Sequence, residues 1–363
     1  MTQRRIALSA GMAWALAPLV LPACASQPVG PMKALTADDF RGARQRGLGL
    51  GTLSNGNRSP ADHDAAQELG ATHVRAFIEA ERMGNSDTYA VPSAQLQALE
   101  QMLLNLEQRG IYLVLAAGFG ADARDGREGN DTLWRNPRRA ASAVALWQQL
   151  ARQLRGRNVV AAFDIVNEPV PHGLTYALRQ ERWLELAARV IDGVRAVDPQ
   201  RVLVIESAPD ATPESFGHLR PLPYTGLVYS LHSYHPFSFT HQRVMKEYPQ
   251  PRAYPEREPD GRSSDELLAQ SLDEVVKFAQ RYDRPIYVGE FSAPRWAPGG
   301  STARYIADSI ALFNRHGFSW AYHEFRAWHG WDPEIASPLP QMRQRRGEAP
   351  VVSALRTGLR APR

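Results

Sequence analysis

The chain has 363 residues, 44% of them apolar and 22% charged, the balance of a globular protein with room for one large domain or two ordinary ones. A net charge of +4 from 42 basic and 38 acidic residues is too small to point to nucleic acid, and the short run Arg343, Arg345, Arg346 lacks interleaved aromatics, so it reads as solvated surface. The one cysteine, Cys24, excludes an internal disulfide and leaves stability to the core.

At the N-terminus, Arg4 and Arg5 precede the uncharged stretch IALSAGMAWALAPLVLPA. A basic start, an apolar middle and a small-residue exit predict an export signal over residues 1–25. The LPAC exit is similar to a bacterial lipoprotein signal, in which Cys24 becomes the lipidated first residue of the mature chain. Pro22 departs from that pattern, so cleavage within ACAS by an ordinary signal peptidase is the alternative, and the Arg4-Arg5 pair admits twin-arginine export. No positive stop-transfer flank follows, which argues against a membrane-spanning anchor. The expectation is an exported protein: periplasmic, secreted, or anchored at the outer membrane through Cys24. Residues 26–35 are then a linker and residues 36–363 one domain, expected to act as a monomer.

Past the linker, brief apolar or β-branched runs alternate with longer stretches of helical spacing. Strands are predicted at 46–53, 72–78, 111–118, 159–167, 201–207, 227–234, 285–291 and 318–325. Between them helices are predicted at 93–110, 137–156, 181–197, 263–282 and 302–317. In the first of these Leu96, Leu99, Leu103 and Leu106 share one face and Gly110 stops the turn; Ser263 or Ser264 caps the fourth. The terminal PVVSALRTGL predicts a last short helix outside. Eight strands in one unbroken series argue for a single (β/α)8 barrel, since an open doubly wound sheet usually stops at five or six. No G-x-G-x-x-G or P-loop pattern and no internal repeat interrupts that reading.

In such a barrel the chemistry gathers at the C-terminal ends of the strands. Those ends carry Arg75 on the second strand, Asn167 and Glu168 on the fourth, and His232, Tyr234 and His235 on the sixth. The seventh brings Glu290, and the eighth Trp320, His323 and Glu324. Glu168 and Glu290 close apolar strands in the same way, in FDIVNE and IYVGE, across the rim from each other. Two facing carboxylates are what glycoside hydrolysis requires: one protonated to release the leaving oxygen, the other charged to attack the sugar carbon or activate water. A separation of about 5–5.5 Å suits a retaining reaction and about 6.5–9.5 Å an inverting one. An ordinary solvated strand end would explain Glu290 alone better than it explains Glu168, set between Asn167 and Pro169.

Pyranose rings offer an apolar face to aromatic side chains, which makes Trp296, Trp328 and Trp331, on rim loops, the candidate walls of a sugar site. Trp134, Trp147 and Trp183 read as packing residues. His232-x-x-His235 with Glu290 imitates a metal triad, but period-two alternation sends the two rings to opposite faces. Neither metal nor cofactor is expected, and no G-x-S-x-G elbow signals a serine hydrolase.

VNEP at the end of strand four, with the glutamate of GEF at the end of strand seven, resembles the clan of retaining (β/α)8 glycosidases. LHSYHPFSFTHQ (231–242), YPQPRAYP and HVRAF narrow the resemblance to glycoside hydrolase family 5, the cellulase family, over about residues 36–360. The resemblance implies Glu168 as acid/base and Glu290 as nucleophile. It implies that Asn167 bonds the sugar 2-hydroxyl, that Arg75 and Tyr234 hold Glu290 ionised, and that His232 lines the subsite beside the acid/base. The implied substrate is an oligo- or polysaccharide with β linkages: β-glucan, mannan or related. Two departures stand out. Strand three reads LAAGFGADAR where many members carry a histidine, with Phe119 or Asp122 nearest, and His323 occupies the strand-eight position that commonly holds a stacking tryptophan. The rival reading is the same barrel as a non-catalytic or transglycosylating carbohydrate-binding surface lipoprotein, against which the retention of both glutamates speaks.

Overall fold

The computed structural model describes residues 30–55, 59–120, 133–171, 174–335 and 349–362. The export signal with Cys24, Asp122 and the Arg343, Arg345, Arg346 run lie outside the described residues. Eight parallel strands close on themselves: β1 (Arg46–Thr52), β2 (His73–Glu79), β3 (Tyr112–Gly118), β4 (Val160–Asp164), β5 (Val202–Glu206), β6 (Leu227–Ser233), β7 (Ile286–Phe291) and β8 (Ser319–Tyr322). β8 returns to β1 with Arg46 opposite Trp320, so the fold is the expected single (β/α)8 barrel. All the predicted strands are present, with β4 and β8 ending at Asp164 and Tyr322 rather than at 167 and 325. Beyond β4 the backbone stays tied on both sides: Ile165 N–H donates to Val204 O and Asn167 N–H to Ala117 O. That tether carries Asn167 and Glu168 up to the rim.

The outer layer comprises α1 (Pro60–Leu69), α2 (Ser93–Arg109), α3 (Pro137–Leu154), α4 (Tyr176–Arg195), α5 (Ser264–Ser271), α6 (Asp273–Tyr282), α7 (Ser301–His316) and α8 (Pro350–Arg360). Gly110 ends α2 at φ 66°, a left-handed turn that glycine adopts without a steric cost. The helix predicted over 263–282 is two abutting helices joined at Leu272, and Ser263 caps the first, in a capping box with Glu266. Between β5 and β6 stands only a 3-10 turn, Pro213–Gly217. Trp147 and Trp183 are fully buried under α3 and α4. Their indole N–H groups donate to Ile165 O at 2.7 Å and Glu206 O at 2.6 Å. Trp134 packs edge-on against Trp183. Truncating either buried indole would cost roughly 3–5 kcal/mol.

Inside the barrel the layers change from apolar to ionic on the way up. Val114, Ala162, Val204, Val228 and Ala321 fill the bottom, and Phe40 seals it edge-on against Tyr287. His73 Nε2 meets Tyr287 Oη at 2.9 Å. Burial, helped by the Arg75 charge, pushes His73 down to about 3, so this ring is a neutral hydrogen-bonding spacer. Arg75, Asp164 and Glu206 form the next layer, all fully buried, and the cleft opens above them.

Candidate active site

Arg75 organises the floor. Its Nε and Nη2 donate to Asp164 Oδ2 at 2.9 and 2.7 Å, and Nη2 also reaches Glu206 Oε1 at 2.8 Å and Asn167 Oδ1 at 2.9 Å. Nη1 donates to Glu290 Oε1 at 2.7 Å, while the Phe77 ring lies 4.5 Å from the guanidinium carbon. Burial works against the charge, but Asp164, Glu290 and Glu206 raise the proton affinity of Arg75 further than burial lowers it. Burial, together with Glu206, pushes Asp164 well above the usual carboxylate range despite Arg75.

A bulge aims Glu290 at this cation. Counting by two from Tyr287, which faces inward, would turn Glu290 outward. The β6–β7 register steps from Leu231 opposite Val288 to His232 opposite Glu290, so Gly289 is an extra residue and Glu290 faces in. A Cβ at position 289 would sit 3.1 Å from Ser230 Oγ and 3.2 Å from His232 Nε2, which is why the extra residue is glycine. Tyr234 Oη donates to Glu290 Oε2 at 2.8 Å, and the Nδ1 atoms of His232 and His323 each lie 3.7 Å from that same oxygen. Burial alone would raise the Glu290 carboxyl. The charges of His232, His323 and Arg75 and the Tyr234 hydrogen bond outweigh it and hold Glu290 well below the usual carboxylate range.

Glu168 is built differently. Its side chain is 15% exposed and its Oε1 lies 2.9 Å from His232 Nδ1. It stands at φ 46°, a left-handed conformation that costs a non-glycine residue about 1–3 kcal/mol unless its surroundings hold it. Its backbone N–H donates to Glu206 Oε2 at 2.6 Å, which supplies that hold. Burial lowers the proton affinity of His232, but Glu290 and Glu206 raise it by more. One carboxylate oxygen each from Glu168 and Glu290 and one ring nitrogen of His232 all lie within 4.8 Å of one another. That trio could encircle a cation, but the Arg75 guanidinium already supplies positive charge there, 2.7 Å from Glu290.

The cleft above has a volume of about 620 Å³. Glu168, Glu290, Asn167, His232, Tyr234 and His323 all line it, with Arg75 just beneath. Trp331 forms a wall, stacked on Tyr234 at 5.7 Å and 25°. Trp296 and Trp328, expected as walls, stand behind it: Trp328 is edge-on to Trp331 at 4.9 Å, Trp296 edge-on to Trp328 at 5.9 Å, and Trp296 Nε1 donates to Gln242 O. His323 has the Phe77 ring against its edge, 6.3 Å away. His235 leaves the cleft to pair with Glu214 at 2.9 Å, as the alternation of side chains requires. Trp320 is buried and packs edge-on to Phe291. Phe119 is buried against Tyr89. Within the FTHQ run Gln242 and Thr240 are scaffolding, Gln242 accepting from Arg252 N–H at 2.8 Å and Thr240 Oγ1 donating to Tyr234 O at 2.6 Å, while His241 lines the cleft edge-on to Trp331. Asp164 and Glu206 are the site residues that reading strand ends missed. Their signal was a charged residue on the same strand face as Ala162, or as Val202 and Val204.

Residues 40–328 match the family model described as Cellulase (glycosyl hydrolase family 5). Endoglucanase C of Acetivibrio thermocellus is 23% identical over 289 residues, which span 72% of this chain and 82% of that protein. Cellodextrinase A of Ruminococcus flavefaciens is 20% identical over 259 residues, spanning 69% and 74%. The structure of endoglucanase Cel5A from the hyperthermophilic Thermotoga maritima superposes with a TM-score of 0.69 at 21% identity, covering 88% of this chain and 100% of that one, a likeness of fold. The chain belongs to glycosyl hydrolase family 5, the cellulase family, and is a glycosidase.

Proposed function

We propose that the protein cleaves β-linked glucan, mannan or a related glycan by retaining double displacement, with Glu290 as nucleophile and Glu168 as acid/base. The observation that carries the reading is the approach of one Glu168 and one Glu290 oxygen to within 4.8 Å, together with the cation and hydroxyl that keep Glu290 charged. So close an approach of two oxygens favours the about 5–5.5 Å between carboxyl groups of a retaining site over the about 6.5–9.5 Å of an inverting one.

In the first step a Glu290 oxygen bonds the anomeric carbon, the bond from that carbon to the leaving oxygen breaks, and Glu168 gives that oxygen its proton. In the second, Glu168 takes a proton from water as the water oxygen attacks the anomeric carbon and releases Glu290. Asn167 accepts from Arg75 through Oδ1, so its amide N–H₂ is turned toward the cleft and can donate to the sugar 2-hydroxyl. His232, Tyr234, His323 and Trp331 bound the sugar. At His323 a ring that hydrogen-bonds replaces one that stacks, which favours a polar grip on the substrate. Relatives named endoglucanase and cellodextrinase support a glucan as the first substrate to try. Export, either with a lipid on Cys24 or after ordinary cleavage within ACAS, and the monomeric state belong to the same proposal. A non-catalytic binder would not need a charged nucleophile beside an acid/base, and transfer to a sugar hydroxyl instead of water would use the same groups.

The test is a panel of β-glucans, mannans and xylans with product sizes as readout, run on the wild type and on Glu290→Ala. Turnover of a β-linked polymer that vanishes in a folded Glu290→Ala variant is the expected result. A near-wild-type kcat in that variant would overturn the assignment.

A further inference from the structure

We propose that Glu206 is the positioning residue of the acid/base: a buried carboxylate that orients His232 against Glu168, fixes the Glu168 main chain, and so sets the pH at which the acid/base loses its proton. The inference deepens the proposed function and rests on Glu168 being the acid/base.

Glu206 ends β5 on the inward face shared with Val202 and Val204, and it is fully buried. Its Oε2 accepts the Glu168 N–H at 2.6 Å, and its Oε1 accepts Arg75 Nη2 at 2.8 Å. The same Oε1 lies 3.2 Å from His232 Nε2, a close ion contact. His232 Nδ1, on the other side of the ring, lies 2.9 Å from Glu168 Oε1. The series is therefore carboxylate, imidazole, carboxylate.

A lone pair on Nε2 would face an anion at 3.2 Å, so Nε2 carries a proton, and Nδ1 is left to meet the acid/base. This is the logic of serine-hydrolase triads, in which a buried carboxylate fixes the tautomer of an imidazole and stabilises its cation. Here the imidazole serves an acid/base carboxyl instead of a hydroxyl. No proton is consumed by the relay: Glu168 gives one to the leaving oxygen and regains one from water, while His232 and Glu206 set how tightly it is held. Among the described residues, Arg75, Asp164, Glu290 and Tyr287 also face the relay.

Removing the Glu206 charge acts in one direction on both partners. His232 loses an anionic neighbour and Glu168 loses a like charge, so the coupled pair releases its proton at lower pH. The experiment is the pH profile of kcat/KM for the wild type, Glu206→Gln and Glu206→Asp, on glycosides with good and with poor leaving groups. In Glu206→Gln the alkaline limb is expected to move by about one pH unit toward acid. The rate loss should be about tenfold or more greater with the poor leaving group, where acid catalysis matters most. Glu206→Asp keeps the charge and should keep the limb near its wild-type position at a reduced rate. An unmoved limb, or a loss equal across leaving groups, would make Glu206 a packing residue and overturn the proposal. Should Glu206→Gln not fold, ring-nitrogen NMR of His232 in the wild type gives the decision. Titration above the ordinary imidazole value of about 6.5, with Nε2 the last protonated, is expected, and titration at or below it would overturn the relay. That measurement needs no turnover, so an inactive wild-type enzyme would count against the function and leave this inference to be judged separately.

Discussion

Arg75→Met would delete the guanidinium on which Asp164, Glu206 and Glu290 converge while filling much of its volume. Breaking a buried ion pair by removing one partner costs about 3–5 kcal/mol, a large share of the ~5–15 kcal/mol that holds a domain folded. At roughly 2–4 °C of melting temperature per kcal/mol for a domain of 150–250 residues, and less for a larger one, the loss should be on the order of 10 °C. The sign with pH follows from linkage. In the wild type Glu290 is held below its unfolded value, so its contribution is present at neutral pH and lost only as pH falls through that depressed value. Without Arg75, burial dominates: Glu290 moves above its unfolded value and Asp164, raised already, moves further up, so stability is present in acid and lost as pH rises through these raised values. The gap between variant and wild type should therefore be widest near neutral pH and close toward about pH 4. Calorimetric melts across that range measure it directly. A gap that is absent at neutral pH, or that widens in acid, would show that the floor of the barrel is not held by this cation.

Two further outcomes are expected. Glu168→Ala should lose about 10²–10⁴-fold in kcat on a polysaccharide and much less in the first step of an aryl glycoside with a good leaving group; equal losses on both would remove Glu168 from the acid role. Trp331→Ala should raise KM by roughly 2–10-fold, the equivalent of the ~0.5–1.5 kcal/mol of one aromatic contact, with a smaller change in kcat. An unchanged KM would take the Trp331 wall out of the sugar site.

How far the site was legible in the sequence depended on which rule located each residue. Glu168 and Glu290 were found because a carboxylate after an apolar run is conspicuous in a barrel. Strict alternation would have turned Glu290 the wrong way; only the bulge at Gly289 corrects it, and a bulge leaves little trace in one sequence beyond a glycine. Asp164 and Glu206 are less conspicuous because the predicted strand runs FDIVN and VLVIES continue past them in the sequence, although the strands themselves end there. Counting by two from the bottom layer would have found them. The tryptophans show the opposite limit: W-x-x-W in the last rim loop says which loop carries the rings, not which ring faces the cleft. That choice is made by the stack of Trp331 on Tyr234 and by the hydrogen bond that draws Trp296 toward Gln242. The division of the 263–282 stretch into α5 and α6 at Leu272 was likewise hidden from helical spacing, whereas the absence of a predicted helix between β5 and β6 matches the short 3-10 turn found there.

The most direct measurement is proton NMR of the first product released from a β-linked substrate, read before the anomers equilibrate. Glu290 charged and Glu168 across a gap of a few ångströms predict the β anomer first, through a covalent glycosyl-Glu290 intermediate. If the α anomer comes first, water and not Glu290 has attacked the sugar, and the two-step account is wrong.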